Sequence, residues 1–565
     1  MSRIRHRSIV NVGMAGSVAV LRACEGLITV AYLLKVLGAE SFGIWALIST
    51  MAAYLLILDL GVVGALGRLL AGHRGADDIE GFNRTLSTAL TLLTGAGAVT
   101  LLAALGIAEI FPLVFQVPEH QLADVRTALL IAGVWAALYF PTSIFDIVLW
   151  SHERFDLSSL IEMPIIALRL GLILFLIHEG SPLSHLAIIG LTANLAMVTL
   201  QAACAWWIEP RLRPVPGVLS RAALKEIYPI GIWFSALSIA RSLTQQIGPT
   251  LVGYSLGNRA VATFTIARQL TTYCATVMLS LTQIAAPRAA VLFFGRHGDE
   301  QKILFIGGGR AAAALALFFV GGFLSLGASF ISVWQGGRQD AAFAPLMVLL
   351  LGEAFPMAQG VSYSILTAMG RHRMLARFAI MEGLCTLALA ASLVGPFGIL
   401  GVCCAIAVSA TVFRGLCPWL LACRLLSVTP LAYLRDAVAP VAVVWIGAVL
   451  VIWLTAAEWP VRGWGSLIGY AMLYAALYLP ACAFVVLGHG ALGPAKDFIQ
   501  RLRITRNVSL AWNQLCSWLG RMFRRRTGAP SPKNAPAHRA EPKVTQNDAP
   551  AEAGIIPQLP TRHRR

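Results

Sequence analysis

IVNVGMAGSVAVLRACEGLITVAYLL, residues Ile9 to Leu34, is an apolar run interrupted near its middle by Arg22 and Glu25. About 20 apolar residues in a helix cross roughly 30 Å of hydrocarbon, so this run is long enough to span a bilayer. An arginine at its centre costs roughly 2.5–3.5 kcal/mol on insertion scales. Arg22 therefore has to face protein, water or an anionic ligand. The same arrangement returns 219 residues later, with Arg241 inside the run Ile227–Gly253. A mid-span arginine repeated in two parts of one chain predicts an internally duplicated membrane protein.

The composition points the same way. Of 565 residues, 57% are hydrophobic and only 13% charged, and the mean hydropathy is +0.73. Soluble proteins average about 25% charged residues. The formal net charge of +17 is what arginine-rich cytoplasmic loops produce and does not call for nucleic acid as a partner. Cysteines such as Cys24, Cys204, Cys274, Cys385, Cys403 and Cys404 lie in or beside apolar runs without metal-type spacing. They read as small packing residues, and no metal or cofactor is expected. The basic start is not followed by a short apolar core with a small-residue cleavage site, and Arg22 and Glu25 interrupt it. It reads as a retained first helix.

Apolar runs predict an all-α polytopic membrane protein of about fourteen transmembrane helices, near 9–34, 42–66, 87–112, 126–150, 158–178, 185–207, 227–253, 260–287, 303–334, 343–368, 375–396, 399–422, 436–456 and 465–488. With the N-terminus inside, the loops on that side carry nineteen Lys and Arg. The other side holds Lys35, Arg126, Arg259, Arg338 and Arg462. This positive-inside bias predicts that both termini are cytoplasmic. Three anchors recur at the 219-residue spacing: Leu37-Gly38 with Leu256-Gly257, Ser151-His152-Glu153-Arg154 with Gly370-Arg371-His372-Arg373, and Arg22 with Arg241. Six helices per copy is an even number, so both copies insert in one orientation, as parallel repeats with a substrate path between them. The expected organisation is a six-helix lobe over 1–215, a second over 216–428, and two further transmembrane helices over 429–490. Residues 491–526 interleave Phe498, Leu502, Trp512, Trp518 and Phe523 with Arg501, Arg503, Arg506 and Arg524–Arg526. They fit either an interfacial helix on anionic lipid or a loosely ordered basic tail. Residues 527–565, rich in Pro, Ala and charge, are expected to be disordered.

No Gly-x-x-x-x-Gly-Lys-Ser/Thr loop or His-Glu-x-x-His pair is present, so nucleotide hydrolysis and zinc chemistry have no motif. The outer loops are too short for the domain on which a membrane glycosyltransferase builds its site, and the chain is not expected to be an enzyme. Gly307-Gly308-Gly309 lies in an apolar run and reads as a close helix contact or a kink. What remains is intramembrane charge. Arg22, Glu25, Arg169, Arg241, Arg268, Glu353 and Arg414 fall near mid-span, with Asp59, Asp146, Glu162 and Glu382 nearer one end. A surplus of arginine suits a cationic cavity for a phosphate-bearing substrate, because the guanidinium fork matches phosphate oxygens. Arg22, Arg241 and Arg268 are the candidate binding residues. Glu25, Asp59 and Glu353 are candidates for ion coupling or for charge pairing. Arg22 and Glu25, three residues apart, share a helix face and could neutralise each other. Arg241 has only Thr244, Gln245 and Gln246 nearby. Arg169 and Arg414 read as interhelix packing residues. Pro141, Pro164, Pro229, Pro287 and Pro356 lie in or at the ends of spans, either breaking helices or simply tolerated there.

The run Leu37-Gly38-Ala39-Glu40-Ser41-Phe42-Gly43-Ile44-Trp45-Ala46, followed by Leu58-Asp59-Leu60-Gly61, resembles the start of polysaccharide transporters. These are the oligosaccharide-lipid flippases of the multidrug/oligosaccharidyl-lipid/polysaccharide exporter superfamily. In the second half, Leu366-Thr367-Ala368-Met369-Gly370-Arg371 and Gly398-Ile399-Leu400-Gly401-Val402 resemble the same family's later helices. The resemblance covers about residues 5–490, and the basic tail beyond 489 departs from it. It implies two six-helix lobes around a V-shaped cavity working by alternating access. It also implies an undecaprenyl-diphosphate-linked oligosaccharide moved across a bacterial inner membrane, for O-antigen, lipopolysaccharide or exopolysaccharide assembly. Family members use arginines on the first helix of each lobe near the diphosphate, and the matching positions are Arg22 and Arg241. Expected partners are the lipid-linked oligosaccharide, membrane lipids and, beyond them, polysaccharide assembly proteins. The alternatives are a cation-coupled antiporter of the same superfamily, for which Asp59 and Glu353 speak, and a polysaccharide polymerase or ligase.

Overall fold

The computed structural model of the chain describes residues 2–59, 61–282, 285–295 and 297–487. The expected amphipathic segment 491–526 and tail 527–565 lie outside the described residues. The first half comprises α1 (Ser2–Leu55), α2 (Val62–Gly75), α3 (Ile79–Val114), α4 (Leu122–Ser151), α5 (Phe155–Leu176) and α6 (Leu183–Ile208). The second continues with α7 (Arg221–Leu256), α8 (Asn258–Thr282), α9 (Ala285–Phe294), α10 (Gly298–Gln335), α11 (Phe343–Ala358), α12 (Gly360–Ala368), α13 (His372–Ser409) and α14 (Cys417–Leu425). Then follow α15 (Pro430–Tyr433), α16 (Ala439–Glu458) and α17 (Trp464–Leu487). Among the described residues there is no strand.

Ten helical stretches are long and apolar enough to cross a membrane. Two of them contain a non-helical glycine, Gly38 in α1 and Gly398 in α13, where two helices meet. α7 and α8 fall outside the ten; Arg241, Gln245, Gln246, Arg268 and several Thr interrupt their apolar sequence. Outward-facing Leu102, Leu113, Phe175, Val443, Trp453 and Met472 are exposed, the surface a bilayer requires. The protein is an all-helical polytopic membrane protein.

The two halves repeat their backbone as well as their sequence. Gly38 (φ 77°, ψ 169°) and Gly257 (φ 82°, ψ 175°), 219 residues apart, adopt the same conformation. α3 and α10 begin 219 residues apart, and short 3-10 turns, Glu119–Gln121 and Asp340–Ala342, lead into α4 and α11. The other anchor is displaced. α4 ends with Arg154 N–H donating to the Leu149 carbonyl and Glu153, at φ 55°, donating to Trp150. α12 ends with the same pair of bonds at Arg371 and at Gly370, φ 71°. This is the helix-ending motif that needs a left-handed residue. Glu153 is therefore the counterpart of Gly370, where the 219-residue spacing placed Ser151.

One apolar core draws on both halves, with Leu33, Leu34, Ile44 and Leu47 beside Val261, Phe264 and Ile266. At the Gly38 end the halves meet closely, with Gly43 against the Asn258 backbone and Gly253 against Leu47. At the other end α2 rests on α7: a Cβ on Gly61 would lie 2.0 Å from the Gly231 carbonyl oxygen. Asp59 accepts the Gly61 N–H at 3.0 Å, which tethers the turn ahead of α2. On the far flank α16 and α17 pack on α10 through Tyr474, Tyr478, Val441 and Ile452. Gly308 faces Val361 and Gly309 faces Tyr433, so two of the three consecutive glycines are close helix contacts.

Between the halves, residues 209–220 run along α3 as loop and turns, with much of their backbone hydrogen-bonded to it. Asn83 donates to the Arg211 carbonyl at 3.0 Å and accepts from Arg213 N–H at 3.0 Å. Ser87, Thr91 and Thr88 accept from Val215, Gly217 and Ser220 at 3.1, 3.0 and 3.2 Å. Spacings of four and eight residues put Asn83, Ser87 and Thr91 on one helix face. Truncating Asn83 and Ser87 to Ala should free this strap. Limited trypsinolysis after Arg211 should then run on the order of a hundredfold faster than in wild type, given three lost hydrogen bonds at about 1 kcal/mol net each.

Candidate substrate path and its charged groups

The mid-span charges gather into two clusters. In the first, α1 and α5 lie side by side. Glu25 is buried and accepts from Arg169 Nε at 3.1 Å and Nη2 at 2.8 Å, with the Thr29 hydroxyl at 3.4 Å. Arg22 pairs with Glu162. The local Arg22–Glu25 pairing suggested by their spacing does not form. Both residues reach across to α5, where Glu162 and Arg169, seven residues apart, share one face. Arg22 still has a 61% exposed side chain, leaving guanidinium donors free.

The second cluster joins four helical segments. Arg414 donates to Glu353 at 2.9 Å and to Glu382 at 3.1 Å, and Arg268 lies 3.8 Å from Glu353. Glu353 on α11 and Glu382 on α13 are buried. Arg414 sits in a π-helical stretch, Ala410–Leu416. The wider turn changes which face each residue presents relative to an α-helix, and such bulges recur at functional sites. Here it aims Arg414 at both carboxylates, while Thr411 donates to the Gly352 carbonyl at 2.9 Å. Thus Arg22, Arg169, Arg268 and Arg414 are matched by Glu25, Glu162, Glu353 and Glu382. The surplus of arginine read from sequence is mostly neutralised, because Glu162 and Glu382 reach the clusters.

Arg241 is different. It is exposed on α7, and among the described residues it takes part in no ion pair. Its neighbours Ala240 and Thr244 are buried against Gly383 of α13. Asp59 stands apart from both clusters at the head of α2. Asp146 accepts from Ser158 at 3.0 Å and Gln201 at 3.1 Å. A further intramembrane cation, Arg310 on α10, was not singled out from sequence, although a charge inside the run 303–334 is a visible signal. It donates to the Asp436 carbonyl at 2.9 and 2.6 Å and to that of Val485 at 3.4 Å. The accepting carbonyl belongs to a second π-helical stretch, Leu434–Val438, and Arg310 thereby ties α16 and α17 to α10. No group of three or more His, Cys, Asp or Glu able to hold a metal occurs among the described residues.

Long apolar helices thus enclose paired buried charges, and α7 carries a cation that takes part in no ion pair among the described residues. Solved structures agree on the fold. An inward-facing multidrug resistance MATE family transporter of the MOP superfamily superimposes with TM-score 0.60 at 15% identity, covering 74% of this chain and 98% of that one. The lipid II flippase MurJ, in an inward closed conformation, gives 0.59 at 12% identity, covering 83% and 98%. The polysaccharide biosynthesis protein family matches residues 9–292, half of the chain, and the chain belongs to that family. Relatives include the uncharacterized membrane protein EpsK of Bacillus subtilis (strain 168), 25% identical over 67% of this chain and 75% of that one. A putative O-antigen transporter of Shigella flexneri is 22% identical over 66% and 88%.

Proposed function

We propose that the protein is a flippase that carries a polyprenyl-diphosphate-linked oligosaccharide or polysaccharide precursor across the bacterial inner membrane by alternating access. It crosses the membrane fourteen times with both termini cytoplasmic, as two lobes over 1–215 and 216–428 followed by two helices over 429–490. The observation that carries the cargo is Arg241. With both charge clusters internally neutral, α7 presents an exposed guanidinium free to take an anion, and the exposed Arg22 offers further donors. A diphosphate supplies the acceptors such forks prefer. Membership of the polysaccharide biosynthesis family and the similarity to a putative O-antigen transporter support a lipid-linked glycan over a drug-like cation. The chemistry is translocation, without bond breaking.

Native mass spectrometry of the purified protein with a polyprenyl-diphosphate oligosaccharide tests this. Wild type should bind, and the folded Arg22→Ala/Arg241→Ala variant should bind at least tenfold more weakly, the loss of roughly one charge-assisted contact. Equal binding removes both arginines from the path. Wild type that binds none of several such lipids shifts the reading to a cation-coupled antiporter.

A further inference from the structure

We propose that His73 is a proton-binding site whose occupancy fastens α7 to α2. His73 lies near the end of α2 with a side chain only 15% exposed. Its Nδ1 is 3.1 Å from the Asp78 carboxylate, in the turn before α3. Its Nε2 is 3.2 Å from the Thr85 hydroxyl of α3 and 3.4 Å from the Glu226 carboxylate of α7. The ring therefore joins the first half of the chain to the second.

A neutral imidazole carries one N–H, and its other nitrogen accepts. With the proton on Nδ1 it donates to Asp78 and accepts from Thr85, and Glu226 has no donor from the ring. A second proton makes both nitrogens donors. The gained attraction runs to the Glu226 carboxylate, 3.4 Å from Nε2 and the one partner that belongs to α7. Proton uptake thus adds an ion-pair contact across the α2–α7 boundary; the Asp78 contact stays, and Thr85 turns from donor to acceptor at Nε2. The same boundary carries the Gly61–Gly231 contact and Gly64 against Phe234, so it is a packed surface that the proton reinforces.

The other charged groups here do not supply this behaviour. The Gly81 N–H, followed by His73, holds the Asp78 carboxyl below the ordinary carboxylate range, with Arg84 adding to it. Asp78 stays ionised while an imidazole titrates. Arg74 donates to the Ser151 carbonyl at the end of α4 at 2.8 Å. His152, at that same end of α4, is held neutral to lower pH by burial. Lys225 beside Glu226 is exposed. The sign follows. A charged ring attracts the Glu226 carboxylate and a neutral ring does not, so the contact is stronger at low pH than at high pH.

Hydrogen–deuterium exchange of the full chain in lipid nanodiscs tests this without cargo, so failure of the glycolipid reading leaves it untouched. After correction for intrinsic exchange, peptides covering 62–75 and 221–235 should lose up to about fivefold protection between pH 5.5 and 8, the worth of one partly exposed ion pair made or lost. Peptides from α17 should stay constant. His73→Gln should flatten the response, Glu226→Gln should flatten it on the α7 peptide, and His152→Gln should leave it intact. Wild-type protection that is the same at both pH values overturns the proposal, as does a full response in His73→Gln.

Discussion

Arg414→Met should destabilise the protein strongly. The substitution leaves Glu353 and Glu382, both buried, with only Arg268 at 3.8 Å from one of them. Removing one member of a buried ion cluster costs about 3–5 kcal/mol, because the remaining charges keep their desolvation penalty without compensation. The loss should be read as a large fall in midpoint temperature in detergent. A companion variant makes the cause explicit. Arg414→Met with Glu382→Gln restores one cation against one carboxylate and should recover more than half of the lost stability, a coupling that independent sites do not show. Arg414→Met as stable as wild type would mean that water reaches the cluster and screens it.

Gly61→Ala is the second large effect expected. Gly61 is left-handed, with φ 72° and ψ 9°, a conformation costing other residues roughly 1–2 kcal/mol. The new Cβ would also lie 2.0 Å from the Gly231 carbonyl oxygen and 2.7 Å from the Ser235 nitrogen. Both belong to backbone, so α7 itself has to move. The combined cost should exceed about 2 kcal/mol, with loss of exchange protection in 221–235. Gly72→Ala is the control on the same helix. Nothing lies within 4 Å of its Cβ position, and Ala there should gain about 0.5–1 kcal/mol. If Gly61→Ala behaves like Gly72→Ala, α7 does not rest on α2 in the folded protein.

Spans were legible in sequence wherever the chain is plainly apolar, and the Leu-Gly pairs at 37–38 and 256–257 marked true breaks. The repeat could be read too, but one anchor slipped. Ser151 and Gly370 align by neighbouring basic residues, whereas the backbone equates Glu153 with Gly370 through a shared hydrogen-bond pattern. Charges inside spans were visible, but their pairing was not. Arg169 meets Glu25 from 144 residues away, while the three-residue spacing of Arg22 and Glu25 pointed to a local pair. A helix surface allows that pair, but only the approach of α5 decides against it. The π-turn that aims Arg414 has no composition of its own to announce it. Asp59-Leu60-Gly61 drew notice for its aspartate, while the contact to α7 is made by the glycine.

The strap along α3 has a mechanical corollary. A connector whose amides are already bonded to Asn83, Ser87, Thr88 and Thr91 behaves as a ruler, fixing the height at which α7 begins beside α3. It supplies no joint. Any swing of one half against the other must then be absorbed beyond it, and α7 has two places built to yield. Pro229 and Pro249 each remove a helix hydrogen bond and push aside the carbonyl four residues earlier. Arg241 lies on the segment between them. Bending at these two prolines would turn the guanidinium through an arc while both of its anchoring ends stayed in place, so the strap's tautness is what converts flexing of a helix into travel of a charge.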